Sequence, residues 1–121
     1  MRLFALRGAA SVESNTPDAI LDSTEELMRA LMERNRINPD DVVSCILTLT
    51  PDLNAEFPAV AARRIGFEKV PLLCAQEIGV PGALERVIRV LIHHYAHEAH
   101  SPEHVYLGAA TTLRADLNAA Q

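Results

Sequence analysis

Val42 to Leu49 is an apolar, β-branched run of strand length, with Asn38-Pro39-Asp40 before it and Thr50-Pro51-Asp52-Leu53-Asn54 after it. A short run of this kind between turn-forming residues reads as a buried strand, and the fold must supply it with neighbours. Leu3 to Leu6, ended by Arg7-Gly8, reads as another short buried strand, and Val70 to Ala75 as a third. Between them lie helical patterns. Thr16 can cap a helix, Pro17 suits its first position and Asp18 suits the dipole. Ile20, Leu27, Met28 and Leu31 then recur at helical spacing, with Glu25, Glu26, Arg29 and Glu33 opposite, and the helix is expected to stop near Asn35. Pro58 opens a shorter helix through Ala59, Ala61, Ala62 and Ile65, which Gly66 can end.

Gly79-Val80-Pro81-Gly82 reads as a turn. It feeds a third expected helix, with Leu84, Val87, Ile88, Leu91, Ile92 and Tyr95 on one side and Ser101-Pro102 closing it. Val105 to Leu113 is expected to be extended, with a kink at Gly108, followed by a tail from Arg114. The resulting order is β-α-β-α-β-α-β, so the fold class is α/β, with residues 1–121 forming one domain.

With no Trp and few aromatic residues, the core of this 121-residue chain rests on Leu, Ile, Val and Ala. A domain of this size buries a modest share of its surface, and association of subunits is a natural way to bury more. A net charge of −5 argues against general binding of nucleic acid or anionic membranes. No apolar run reaches transmembrane length, and Met1 to Arg7 is too short for a signal peptide. Cys45 and Cys74 each sit in an apolar run and suggest no disulfide framework, so a reducing cytoplasm is the expected compartment.

The basic residues are ten Arg and a single Lys, Lys69. Arg forks suit two-point grips on carboxylates or phosphates. Arg89 falls between Ile88 and Val90-Leu91, where a charge needs a partner: either a ligand or a structural ion pair with Glu85 one helical turn earlier. Arg86 reads as a surface residue. The strand from Val70 ends in Cys74-Ala75-Gln76-Glu77, and strand ends are where α/β folds place ligands. Cys74 and Glu77 are therefore either pocket-lining groups or a buried inert thiol and a solvated acid. A nucleophilic Cys74 would need an activating base, and none is evident nearby. His93, His97 and His100 would share one face of the expected helix, but no HExxH pattern accompanies them, and a solvated helix end accounts for them. The Gly79–Gly82 turn lacks the Lys and Ser/Thr of a phosphate loop.

Several ordered blocks carry a more specific signal. They are Leu6-Arg7-Gly8-Ala9 with Val12-Glu13, Thr50-Pro51-Asp52-Leu53-Asn54-Ala55-Glu56-Phe57-Pro58-Ala59, Cys74-Ala75-Gln76-Glu77, Ile88-Arg89-Val90, His104-Val105-Tyr106-Leu107 and Leu113-Arg114-Ala115-Asp116-Leu117. From Arg2 to about Leu117 the chain resembles the monofunctional chorismate mutases of the small trimeric type. The resemblance implies a mixed β-sheet with packed helices, assembled as a homotrimeric pseudo-α/β barrel with active sites between subunits. It implies conversion of chorismate to prephenate, the committed step toward phenylalanine and tyrosine, with no cofactor or metal.

The same resemblance assigns residue roles. Arg89 would contact the ether oxygen and a carboxylate, and Arg7 and Tyr106 would bind carboxylate oxygens. Glu77 and the backbone or thiol of Cys74 would hold the ring hydroxyl. Phe57, Ala59, Leu73 and Leu113 would shape apolar walls, with Arg63 and Arg114 at the entrance. The chain departs from the family pattern at Val60, where Lys is common, and at Leu73, where Thr is common. A non-catalytic trimer that binds a carboxylate metabolite in the same clefts, and a hydrolase or deaminase dependent on Cys74, are the competing readings.

Overall fold

The computed structural model describes residues 1–113. Its elements run β1 (Arg2–Ser11), α1 (Pro17–Asn35), β2 (Val42–Leu49), α2 (Ala59–Ala62), β3 (Leu72–Gln76), β4 (Val87–Ala96) and β5 (Val105–Leu107). The five strands form one mixed sheet in the order β3-β2-β4-β1-β5. β4 is antiparallel to both β1 and β2, while β3 runs parallel to β2 and β5 parallel to β1.

α1 forms where its end signals place it. The Thr16 hydroxyl accepts the Ala19 N–H at 3.2 Å, Pro17 opens the first turn, and Arg36 closes the helix in the left-handed region at φ 52°. Its Leu27, Met28 and Leu31 pack on Leu6, Leu47, Val90 and Ile92 from the sheet. Burying each such side chain contributes about 1.5–3 kcal/mol, so this layer is the main source of stability. At the far end of α1, Asn35 donates to the Leu31 and Glu103 carbonyls and accepts the Glu103 N–H at 2.7 Å. That side chain moors the segment leading into β5.

The segment expected to be the third helix is instead the central strand β4. Its apolar residues fit a helical period, but they fit a period of two as well. Ile88, Val90, Ile92 and His94 are buried toward α1, and Arg89, Leu91, His93 and Tyr95 point to the other face. The β-branched content and the availability of two strands to pair with decide the outcome. The helical pairing of Glu85 with Arg89, one of the two alternatives for Arg89, is therefore absent. Glu85 instead lies 3.6 Å from Arg86. The shared helical face of His93, His97 and His100 is also lost: the His93 ring bonds Ser44 at 3.1 Å, whereas His100 stacks edge-on against His94 and Phe4. Among the described residues no three His, Cys, Asp or Glu side chains converge as a metal site.

β1 runs past Gly8, the expected end of the strand, to Ser11. A Cβ at Gly8 would lie 2.8 Å from Leu31 Cδ1 and 3.2 Å from the Val105 carbonyl, so the glycine is there for the close approach of α1 and β5. β5 is shorter than expected. At Gly108, φ 61°, the chain turns into a short 3₁₀ segment, and the Ala109 N–H is received by the Ser11 hydroxyl at 2.9 Å. α1 covers one face of the sheet. The other face is uncovered in the single chain and leaves Leu3 and Tyr95 about half exposed. No helix among the described residues is long and apolar enough to cross a membrane.

Candidate active site

The uncovered face carries a transverse row. Strand pairing sets Ala75 beside Thr48, Thr48 beside Arg89, Arg89 beside Ala9, and Ala9 beside Tyr106. One residue from each strand thus stands on a line across the sheet. Ala9, the small residue between Arg89 and Tyr106, leaves a gap there. Arg7 lies one outward-facing position along from Ala9, opposite Leu91. Arg7, Ala9, Thr48, Arg89 and Tyr106, together with Glu77 and Leu113, line a cleft of about 530 Å³.

Glu77 is held at the cleft by contacts from two strands. Its backbone N–H donates to the Leu49 carbonyl at 2.8 Å, which carries the chain just beyond β3. Its carboxylate Oε1 accepts the Thr48 hydroxyl at 2.5 Å and lies 3.5 Å from Arg89 Nε. The second contact is an ion pair without a hydrogen bond: Arg89 Nε and the Tyr106 hydroxyl are both buried and without a hydrogen-bond partner among the described residues. A buried polar group left unpaired costs about 1–3 kcal/mol. Two such donors on either side of Ala9, beside a second guanidinium from Arg7, are of a kind that suits a ligand rich in anionic oxygen.

His104 supports this edge from behind. Its Nδ1 accepts the Arg7 N–H at 3.0 Å, and partial burial together with the Arg7 charge pushes its pKa below the usual histidine value. The ring is thereby kept in the neutral form that can accept.

Arg7, Glu77, Arg89, Tyr106 and Leu113 thus come together as expected. Other expected residues lie elsewhere. Cys74 points to the α1 side of the sheet, packs against the main core, and lines a separate groove of about 380 Å³ with Phe57 and Leu53. Ala59 is buried in the core. Phe57 and Leu73 stand 67% and 62% exposed, and Arg63 is exposed. Arg114 lies outside the described residues. Thr48, Ala9 and Ile46 were not anticipated at the site. Only their alternation along strands could have placed them there, and only once the register was known.

Residues 3–117 match the family described as chorismate mutase type I. The chain belongs to the type I chorismate mutase family. It is 47% identical to chorismate mutase AroH of Thermus thermophilus over 121 residues, covering 96% of this chain and 97% of that protein. It is 40% identical to chorismate mutase AroH of Bacillus subtilis (strain 168) over 123 residues, covering 98% of this chain and 94% of the relative. A solved chorismate mutase from Clostridium thermocellum superposes with a TM-score of 0.86 at 43% identity, covering 90% of this chain and 98% of the other. Membership in this family agrees with the mixed α/β sheet.

Proposed function

We propose that the chain, as one domain over residues 1–121, isomerises chorismate to prephenate in the Arg7–Glu77–Arg89–Tyr106 cleft. The observation that carries this reading is the pair of buried, unpartnered donors, Arg89 Nε and the Tyr106 hydroxyl, on either side of Ala9.

The reaction is a unimolecular [3,3] rearrangement of a dianion. It needs no nucleophile or base, so the protein contributes by holding the folded, near-attack conformer and by fixing charge where the transition state becomes polar. As the C–O bond breaks, negative charge grows on the ether oxygen. Arg89 meets that oxygen and one carboxylate, an interaction stronger in the transition state than in the ground state. Arg7 and the Tyr106 hydroxyl bind carboxylate oxygens, and Glu77 accepts from the ring hydroxyl. The local pair of arginines explains how a protein of net charge −5 attracts an anion.

The reading includes a homotrimer. Phe57, Leu73 and Arg63 are exposed, and Phe57 and Cys74 line a groove apart from Arg89. A neighbouring subunit laid on the uncovered face would bring that groove to the cleft, with Arg63 at its rim. The same contact would cover Leu3 and Tyr95 and bury the apolar surface that one small domain cannot bury alone. Val60 offers this rim no charge, and Leu73 offers no hydroxyl. A cytoplasmic setting belongs to the same reading, since Cys45 and Cys74 are both free thiols.

The test is to add chorismate and follow loss of its ultraviolet absorbance together with acid-dependent conversion of the product to phenylpyruvate. Turnover well above the uncatalysed rate is expected, and its absence rejects the assignment. Light scattering gives the subunit count: a monomer at assay concentration with full activity rejects the interfacial site.

A further inference from the structure

Thr48 belongs to a strand whose neighbouring positions are apolar, and its side chain is the one aliphatic hydroxyl in the transverse row that ends at the phenol of Tyr106. It stands between Ala75 of β3 and Arg89 of β4, directly beside the guanidinium-bearing residue. Its hydroxyl donates to Glu77 Oε1 at 2.5 Å. Arg89 Nε is 3.5 Å from that same oxygen and makes no hydrogen bond to it. Two donors therefore converge on one carboxylate oxygen, and the hydroxyl is the one that binds it. Among the described contacts none engages Oε2.

This arrangement bears on the use of charge in the cleft. A carboxylate beside an arginine tends toward the two-point fork, which would engage both carboxylate oxygens and occupy the guanidinium. Such a pair would commit Arg89 before substrate arrives and would take up the charge that the developing oxyanion needs. The Thr48 hydroxyl holds Oε1 toward the sheet at hydrogen-bond length, so the guanidinium remains at ion-pair distance with its Nε unpaired.

We infer that Thr48 is a positioning residue for the rearrangement: it anchors Glu77 through Oε1, keeps Arg89 uncommitted, and leaves Oε2 as the acceptor for the substrate's ring hydroxyl. The inference rests on the assignment of Glu77 and Arg89 to the reacting cleft. Thr48 lines the cleft but acts through these two residues, since its one hydroxyl proton is given to Glu77.

The experiment compares Thr48→Val, which keeps the shape and removes the donor, with Thr48→Ser, which keeps the donor. Thr48→Ala serves in place of Thr48→Val if that variant fails to fold. The expected result is a fall of about 10–100-fold in kcat for the variants without a donor, the scale of a misplaced catalytic group. KM is expected to change less, and Thr48→Ser to recover most of the loss. A double-mutant cycle with Glu77→Gln separates a role through Glu77 from a structural one. Once Glu77 is neutral, removing the hydroxyl is expected to cost little more. Wild-type kcat in Thr48→Val, equal losses in the Val and Ser variants, or fully additive losses in the cycle would each overturn the inference while leaving the cleft assignment intact. Wild-type activity in Glu77→Gln overturns the cleft assignment itself.

Discussion

Arg89 on β4 and Arg7 on β1 project from the same face of the sheet at diagonal positions, Arg89 opposite Ala9 and Arg7 opposite Leu91. Diagonal neighbours on paired strands are about 7–8 Å apart, within reach for long side chains. Two like charges so placed work against folding, and Glu77 lies at ion-pair distance from Arg89. The arrangement favours a ligand with two carboxylates. Arg89→Ala is expected to cost about 10²–10³ in kcat, the scale of a lost oxyanion donor. Arg89→Lys is expected not to restore turnover, because an ammonium lacks the planar fork. Steady-state kinetics with chorismate measures both, and turnover near wild type in either variant would remove Arg89 from its proposed role.

Replacing Arg7 by Ala relieves the like-charge contact and removes a carboxylate grip. Thermal melting is therefore expected to be unchanged or raised while kcat/KM falls, a combination that distinguishes a ligand-binding arginine from a structural one. A variant that lost stability and activity together would point to a structural role for Arg7.

Stability is expected to fall on mild acidification through His94. The ring is buried in the His94–His100–Phe4 cluster, and burial first, then the neighbouring His100 charge, pushes its pKa below the usual 6.5. The unfolded chain takes up this proton near 6.5, whereas the folded chain resists it to lower pH. The stability is therefore fully present above 6.5 and is lost as pH falls through the lower folded value. Melting temperature measured against pH shows the slope, and His94→Phe is expected to flatten it. An unaltered slope in that variant assigns the effect to other groups.

Gly8→Ala is expected to destabilise the protein by about 1–3 kcal/mol, as an overpacked core does. The added methyl meets Leu31 and Leu27 side chains, which can shift, and the Val105 carbonyl, which cannot move without β5. Because β5 carries Tyr106, activity is expected to fall further than the loss of folded protein explains. Urea denaturation together with kcat per folded molecule separates the two effects.

The two thiols are expected to react at very different rates. Burial, then the nearby Cys74, pushes the Cys45 pKa up to about 12, so it carries almost no thiolate at neutral pH. Cys74 is half-buried, at the edge of a groove. Native protein is expected to release one equivalent in a thiol-exchange assay quickly and the second only on unfolding. Cys74→Ser is expected to lose turnover partially. Complete loss would instead point to Cys74 as a nucleophile.

How much of this was legible in the sequence depended on whether the deciding contact was local. The Thr16 cap, Pro17 and the apolar spacing of Ile20, Leu27 and Leu31 fix α1 within its own length, and its bounds emerge from those residues. Leu84 to Tyr95 has no such local arbiter. Its apolar residues satisfy both periods, and the pairing with β1 and β2 that makes it a strand involves partners more than 35 residues away. Arg89 could be singled out as a charge in an apolar run. Its neighbours Thr48 and Ala9 could not, because a hydroxyl or methyl within a strand gives no signal until register places it next to a guanidinium. Asp52 shows the same limit. It reads as a turn residue, yet its carboxylate receives the Arg86 N–H at 3.0 Å while Arg86 holds φ at 49°, which fixes the first residues of β4.

The β1–β5 pairing has a consequence for how the enzyme comes into being. The Arg7 N–H meets His104 across 97 residues of chain, and Ala9 meets Tyr106 across the same interval. During synthesis the residues of β1, α1 and β2 are available long before Tyr106, and the pairing that completes the row waits for nearly all the described chain. Val105, the residue before Tyr106, is itself buried in the main core, so core and pocket are completed together. Such long-range closure is also the slowest kind of contact to form. The delay in first turnover after translation is expected to follow the docking of three residues, Val105 to Leu107, against β1.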